Sequence, residues 1–298
     1  MSILNSDSSI SSAQPLRKLR MMVLGPGDRP YVTAEAARLR AALEHAATLV
    51  AWDFGFAEDL SRIDADLAVV LGGDGSILRA AHQMGYNQRP VIGINLGKLG
   101  FLAGLAPEQF LDALPDLAAG RYRVIEHLMF ECSLQRDGQT IWCELGLNEA
   151  AVLLGPPFAM LRAHLYVDAE LVTTYSCDGL IISTPVGSTA HSLSAGGPIL
   201  RKDLQAFVVV PISPHTLTNR PVVDAASRIY EVRTGPTDTS ATVVVDGRVL
   251  GPLHSGDCLK VRRAEPCFKL IEMPGQSYYR TLREKLGWGG SLKLDDRG

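Results

Sequence analysis

Short apolar runs alternate with amphipathic stretches over the first hundred residues, and then the pattern changes. Arg20-Met21-Met22-Val23-Leu24 predicts a first strand, stopped by Gly25-Pro26-Gly27. Residues 33–49 carry the Ala and Leu spacing of an amphipathic helix. Residues 65–71 form a second apolar run of strand length, 76–84 a helix ending at Gly85, and 90–95 a third strand. Strands alternating with helices predict a parallel sheet. Two glycine-rich stretches, Gly72-Gly73-Asp74-Gly75-Ser76 and Leu96-Gly97-Lys98-Leu99-Gly100-Phe101, then fall at strand ends and face one edge.

From about Phe130 the pattern turns to period two. Residues 131–135 and 140–145, joined by Asp137-Gly138, predict a hairpin. Further strands are predicted at 163–167, 180–183, 206–210, 228–233, 242–246 and 258–262, with little helical periodicity between them. Residues 278–286 return to helix and are expected to pack back on the first part. The predicted fold is an α/β N-terminal domain with a parallel sheet, then a mostly β C-terminal domain and a returning helix. The expected boundaries are a disordered tail at 1–18, the α/β domain at 19–128, the β-rich domain at 129–277 and the closing segment at 278–298.

Composition narrows the class without naming it. The 298 residues are 46% hydrophobic and 20% charged, as in a globular protein with a substantial core. A formal net charge of -3 gives no electrostatic reason to expect nucleic acid or an anionic membrane as partner. No apolar run reaches the roughly 18 residues of a membrane span. The Ser-rich start, residues 1–14, lacks the hydrophobic stretch of a signal peptide. Five scattered cysteines with no Cys-x-x-Cys pair argue against a zinc site and a disulfide framework, so a reducing cytoplasm is the default.

The candidate chemistry gathers at Asp74. Gly72, Gly73 and Gly75 around one carboxylate let backbone N–H groups approach phosphate oxygens, with a helix N-terminus behind them. Ser76 completes that phosphate loop. The same residues also suit a plain tight turn. A second cluster, residues 178–198, runs a strand into Pro185-Val186-Gly187 and then into a hydroxyl-rich segment. Ser188, Thr189, Ser192 and Ser194 offer donors and acceptors suited to a ribose or an amide-bearing base, or else cap a turn. Asn148-Glu149 is a short polar pair, and Lys98 is a candidate phosphate cation that equally reads as a solvated loop lysine. No Gly-x-x-x-x-Gly-Lys-[Ser/Thr] loop is present, so a P-loop is excluded.

Taken in order, these segments resemble the bacterial NAD kinases. The match runs from about Arg20 to Trp288 through Gly-Gly-Asp-Gly-Ser, Gly-Lys-Leu-Gly-Phe-Leu, Asn-Glu, the stretch 178–199, Pro-His-Thr-Leu, Arg-Pro and Lys-Leu-Gly-Trp. Gly-Gly-Asp-Gly alone is shared with lipid and sugar kinases, whereas the long second stretch is specific. The resemblance implies phosphorylation of NAD by ATP at the 2′-hydroxyl of its adenosine ribose, with Mg²⁺ carried on the nucleotide phosphates rather than on protein ligands. It implies a site between the two domains and a homodimer or homotetramer.

The resemblance also assigns residues. Asp74 takes the catalytic position, and Gly75, Asn148, Glu149 and Asp178 take dinucleotide-contacting ones. So do Thr189, Ala190, His191, Ser192, Leu193 and Ser194. Ser176 and Arg248 fall at further cofactor-binding positions. The family shares its dinucleotide site across a subunit contact, so Asp178 is expected to serve a neighbour's ligand. Ser76 stands where Thr is common, His191 where Tyr is usual, Arg248 where Gln is frequent and Ser176 where several relatives are basic. Competing readings are a lipid or sugar kinase on the same loop, and a dinucleotide-binding module without turnover. A Rossmann dehydrogenase lacks its Gly-x-Gly-x-x-Gly after Leu24.

Overall fold

Four parallel strands, three of them largely buried, begin the chain's core in a computed structural model that describes residues 18–97, 100–155, 160–216, 218–235 and 241–288. The expected N-terminal tail falls outside these but for its last residue, and Lys98 falls outside them too. The first part runs β1 (Leu19–Leu24), α1 (Pro30–Ala46), β2 (Ala47–Asp53), β3 (Leu67–Leu71), α2 (Asp74–Met84), β4 (Val91–Ile94) and α3 (Pro107–Ala118). Its strands lie parallel in the order β2-β1-β3-β4. Successive side chains alternate faces. Met21 and Val23 therefore meet Leu39, Leu43 and Phe110 of α1 and α3, while Met22 and Leu24 meet Ile77 and Ala80 of α2.

One expectation needs correction here. The helix expected at 33–49 begins at Pro30 and ends at Ala46, and residues 47–53 are a strand paired with β1. Proline suits the first helical turn, where its missing N–H has no partner to lose. Ala47-Thr48-Leu49-Val50-Ala51-Trp52 takes a place beside β1 because pairing with a preformed strand outweighs one more helical turn. The helix α3 had no counterpart among the expected elements.

The second part continues with β5 (Arg123–Arg136), β6 (Gln139–Gly146), β7 (Glu149–Leu154), β8 (Leu161–Val167), β9 (Glu170–Cys177), β10 (Gly179–Ser183) and α4 (His191–Ser194). It ends with β11 (Ala206–Ile212), β12 (Val222–Ala225), β13 (Tyr230–Thr234), β14 (Ala241–Val245), β15 (Arg248–Leu253), β16 (Cys258–Glu272) and α5 (Tyr278–Leu286). The hairpin β5–β6 turns on Asp137 and Gly138, both at positive φ, as its tight turn requires. An antiparallel sheet of order β12-β11-β10-β7-β14-β15 packs its inner face, through Val152, Ile182, Phe207 and Val243, on Phe130, Leu165 and Tyr230 of the other sheet.

The first sheet does not stop at β4. Strand β16 touches β4 at Leu270–Val91 and carries the same sheet on through β13, β8 and β9, with β5 running antiparallel to it. The α/β part and the β-rich part are thus joined by hydrogen-bonded strands. Helix α5 is capped by the Ser277 hydroxyl, which accepts the Arg280 N–H, and by Gly287 at φ +67°. It lies against the first part, with Lys285 Nζ 5.2 Å from the Phe101 ring. No helix among the described residues is long and apolar enough to cross a membrane.

Candidate functional site

The turn after β3 is built around Asp74. Gly72 sits at φ +130°, which only glycine adopts freely, and a Cβ there would collide with Ser76 Oγ. Helix α2 starts at Asp74 itself, with Gly73 as its N-cap. The Asp74 carboxylate accepts three backbone N–H groups from the second glycine loop: Phe101 to Oδ2 at 2.7 Å, and Leu102 and Ala103 to Oδ1 at 2.9 and 3.0 Å. Gly100 makes this approach possible, because a Cβ at that position would overlap the carboxylate. The two glycine loops do face one edge, and they are bonded to each other through Asp74. Oδ1 carries two of the donors and Oδ2 one, so Oδ2 keeps a free lone pair.

A cation that sequence reasoning missed stands on the same loop. Lys202 Nζ donates to the Phe101 carbonyl at 2.5 Å. Burial presses its pKa down to about 8, while the charges of Asp74 and Glu272 push the other way. Arg201-Lys202-Asp203 is a polar run in a loop, and nothing local distinguishes it from a solvated one.

The Asn148-Glu149 pair is held by Asp246. Its buried carboxylate accepts the N–H groups of Leu147, Asn148 and Glu149 at 2.7, 2.8 and 3.0 Å. His82 Nε2, near the far end of α2, lies 3.0 Å from the same carboxylate. Glu149 is buried, and no described group bonds its Oε2. Burial, helped by the nearby Asp246 charge, raises the Glu149 carboxyl to about 8. It is therefore protonated at neutral pH and presents an O–H donor. Arg248, the first residue of β15 after the Asp246-Gly247 turn, reaches Glu144 and His82 Nδ1, each at 3.4 Å.

The hydroxyl-rich segment divides in two. Ser188 Oγ donates to the Pro185 carbonyl at 2.6 Å and accepts the Leu200 N–H at 3.0 Å, and Thr189 Oγ1 donates to the Val186 carbonyl at 3.0 Å. Ser188 is fully buried, and both hydroxyls hold the turn together, which is the second of the two roles their positions allowed. Ser192 Oγ is buried with no partner among the described residues, and His191 is exposed at the start of α4.

Sequence neighbours of several expected positions pack together. Ile77 after Asp74, Leu102 and Ala103, Leu147 before Asn148, and Val186 share one buried cluster. Asp178 and Ser176 lie apart from these: they precede β10 while Thr184 follows it, which puts Asp178 about 20 Å from Thr184 along the strand. Asp178 is half exposed, with His215 Nε2 at 3.5 Å.

This arrangement can orient a hydroxyl at Asp74, surround a phosphate with backbone donors, and hold a polar ring system at Asn148 and Glu149. Residues 42–122 match the ATP-NAD kinase N-terminal domain and residues 147–273 the ATP-NAD kinase C-terminal domain. The chain is 55% identical to an NAD kinase of Rhodopirellula baltica, over 93% of this chain and 89% of that one. It is 40% identical to an NAD kinase of Geobacter metallireducens, over 76% and 80%. Among solved structures, an NAD kinase from Archaeoglobus fulgidus in complex with ATP superposes with a TM-score of 0.72 at 28% identity, over 90% of this chain and 99% of that one. Yeast NADH kinase complexed with NADH shares the fold, with a TM-score of 0.84 at 22% identity, over 95% and 90%.

Proposed function

The chain belongs to the NAD kinase family and phosphorylates NAD to NADP, and we propose that Asp74 is the general base of that reaction. The 2′-hydroxyl of the adenosine ribose rests on Asp74 Oδ2, the oxygen with one backbone donor. The ribose oxygen bonds to the γ-phosphorus of ATP, the bond from that phosphorus to the bridging oxygen breaks, and ADP leaves with its electron pair. The hydroxyl proton passes to Asp74. Because the transition state is loose, that proton moves late, and the protein contributes mainly position and charge. A carboxylate held by three N–H groups suits this task, since it cannot swing away from the acceptor.

The observation that carries this reading is the three-donor grip on Asp74 at the carboxyl end of a parallel strand, where open α/β sheets bind ligands. Backbone N–H groups of the glycine turn and the start of α2 receive phosphate oxygens. The protonated Glu149 donates to the dinucleotide, beside Asn148 and the residues from Thr189 to Ser194. Among the described residues no three His, Cys, Asp or Glu converge on a metal position. Magnesium enters with the donor, whose phosphate charge it neutralises. The working form is a homodimer or homotetramer in the cytoplasm.

The test is an endpoint assay with Mg²⁺, ATP and either NAD or NADH, reading NADP(H) through a cycling dehydrogenase. NADP formation that vanishes in Asp74→Ala supports the assignment. Near-normal formation by Asp74→Asn, with its geometry kept, removes the general base.

A further inference from the structure

A cavity of about 400 Å³ opens beside the loop that grips Asp74, walled by Gly100, Phe101, Leu102, Lys202 and Tyr278. None of Asn148, Glu149 or residues 189–194 lines it. Phe101 is held at both of its backbone polar groups: its N–H donates to Asp74 Oδ2 and its carbonyl accepts from Lys202 Nζ. A single residue thus links the cation to the base.

Lys202 differs from the other cations of this wall. Arg123 is paired with Glu272 at 2.5 Å, and Arg201 with Asp203 at 2.8 Å. Lys202 has no ion pair among the described residues; its neighbours are the Phe101 carbonyl and the Tyr278 ring, 5.6 Å from Nζ. An ammonium has three N–H donors, and one is engaged. A desolvated ammonium with two open donors is completed best by phosphate oxygens, which accept charge-assisted hydrogen bonds. In-line transfer also requires the leaving group and the attacking hydroxyl on opposite sides of the phosphorus. The expected dinucleotide residues lie outside this cavity, as do Asp74 and residues 72–76; what the cavity shares with the site is the loop from Gly100 to Leu102, whose backbone grips Asp74.

We propose that this cavity takes the polyphosphate chain of the phosphoryl donor and that Lys202 binds its oxygens next to Asp74. The proposal rests on the kinase reading above. The desolvation that lowers the Lys202 pKa agrees with a cation held ready for an anion it does not yet have.

Calorimetry with inorganic tripolyphosphate on the full-length protein tests it directly. Lys202→Met is expected to weaken binding about tenfold or more, and Lys202→Arg to restore it to within about threefold. In turnover, Lys202→Met is expected to raise the KM for ATP, or for tripolyphosphate offered as sole donor, about tenfold, with the KM for NAD within about twofold. The two donor arms tell a nucleotide from an inorganic source. Unchanged tripolyphosphate binding in Lys202→Met, or a rise confined to the KM for NAD, overturns the proposal. Should Lys202→Met fail to fold by circular dichroism, competition in the wild type decides. Tripolyphosphate competing with ATP supports the site, and competition with NAD alone overturns it. Lys202-dependent tripolyphosphate binding in a protein that makes no NADP would sink the kinase reading and leave this site standing.

Discussion

His82 Nε2 lies 3.0 Å from Asp246 Oδ2, so the helix that begins with Asp74 ends against the turn that holds Asn148 and Glu149. One rigid element therefore fixes the spacing between the base and the dinucleotide segment. Asp246→Ala leaves three buried N–H groups without their acceptor, a loss of roughly 3 kcal/mol or more of stability. His82→Ala removes one contact at the rim and is expected to change stability by roughly 1 kcal/mol. Urea unfolding of both variants checks the order, and equal losses would contradict Asp246 as the hub.

Gly100→Ala puts a methyl group where the Asp74 carboxylate sits. The carboxylate must shift, and a displacement of the base by about 1 Å lowers turnover on the order of 10²-fold. Steady-state kinetics should show that fall in kcat with the KM for NAD nearly unchanged. A fully active Gly100→Ala enzyme would mean that the close approach does not matter.

Glu149 gives stability a pH dependence of known sign. Its carboxyl titrates near 4.5 in the unfolded chain and at about 8 in the folded one, because burial disfavours the charged form. The stability held below about pH 4.5 is lost as pH rises through about 8, by at most on the order of 5 kcal/mol. Glu149→Gln removes this fall. Unfolding at pH 6 and pH 8.5 should show a smaller difference in the variant than in the wild type.

Asp178 and Asp74 are expected to serve one ligand from different protomers. Asp74→Ala and Asp178→Ala are each expected to be inactive, and mixing them after subunit exchange should restore part of the activity through hybrid sites. No recovery from a mixture shown to exchange would place Asp178 outside the site.

The α/β grammar and the Asp74 turn were legible because their signals are local: apolar runs of strand length, and glycines where the backbone must come close. What escaped was set by distant partners. Strand β16 reads as residues 258–262 alone, since Arg262-Arg263 and Pro266 break the pattern. The structure carries the strand past them on a register shift between Arg263 and Cys267. Asp246 reads as a strand end, and only the fold brings Leu147 to Glu149 against it. Lys202 meets Phe101 across about a hundred positions of chain, a distance no local motif spans. For Ser188 the residue type left two roles open, a ligand contact or a turn cap, and only the fold's burial of its hydroxyl chooses the cap.

The long pairing of β16 with β5, from Cys258–Gln135 to Glu272–Arg123, has a consequence for synthesis. Strand β5 leaves the ribosome more than a hundred residues before its partner, and β4 waits longer still for its neighbour at Leu270. Contacts of such sequence separation form late and slowly. Until then the nascent first half carries an open sheet edge able to pair with another chain. Chaperone dependence, and aggregation of chains truncated before Cys258, are the cellular signatures of that delay.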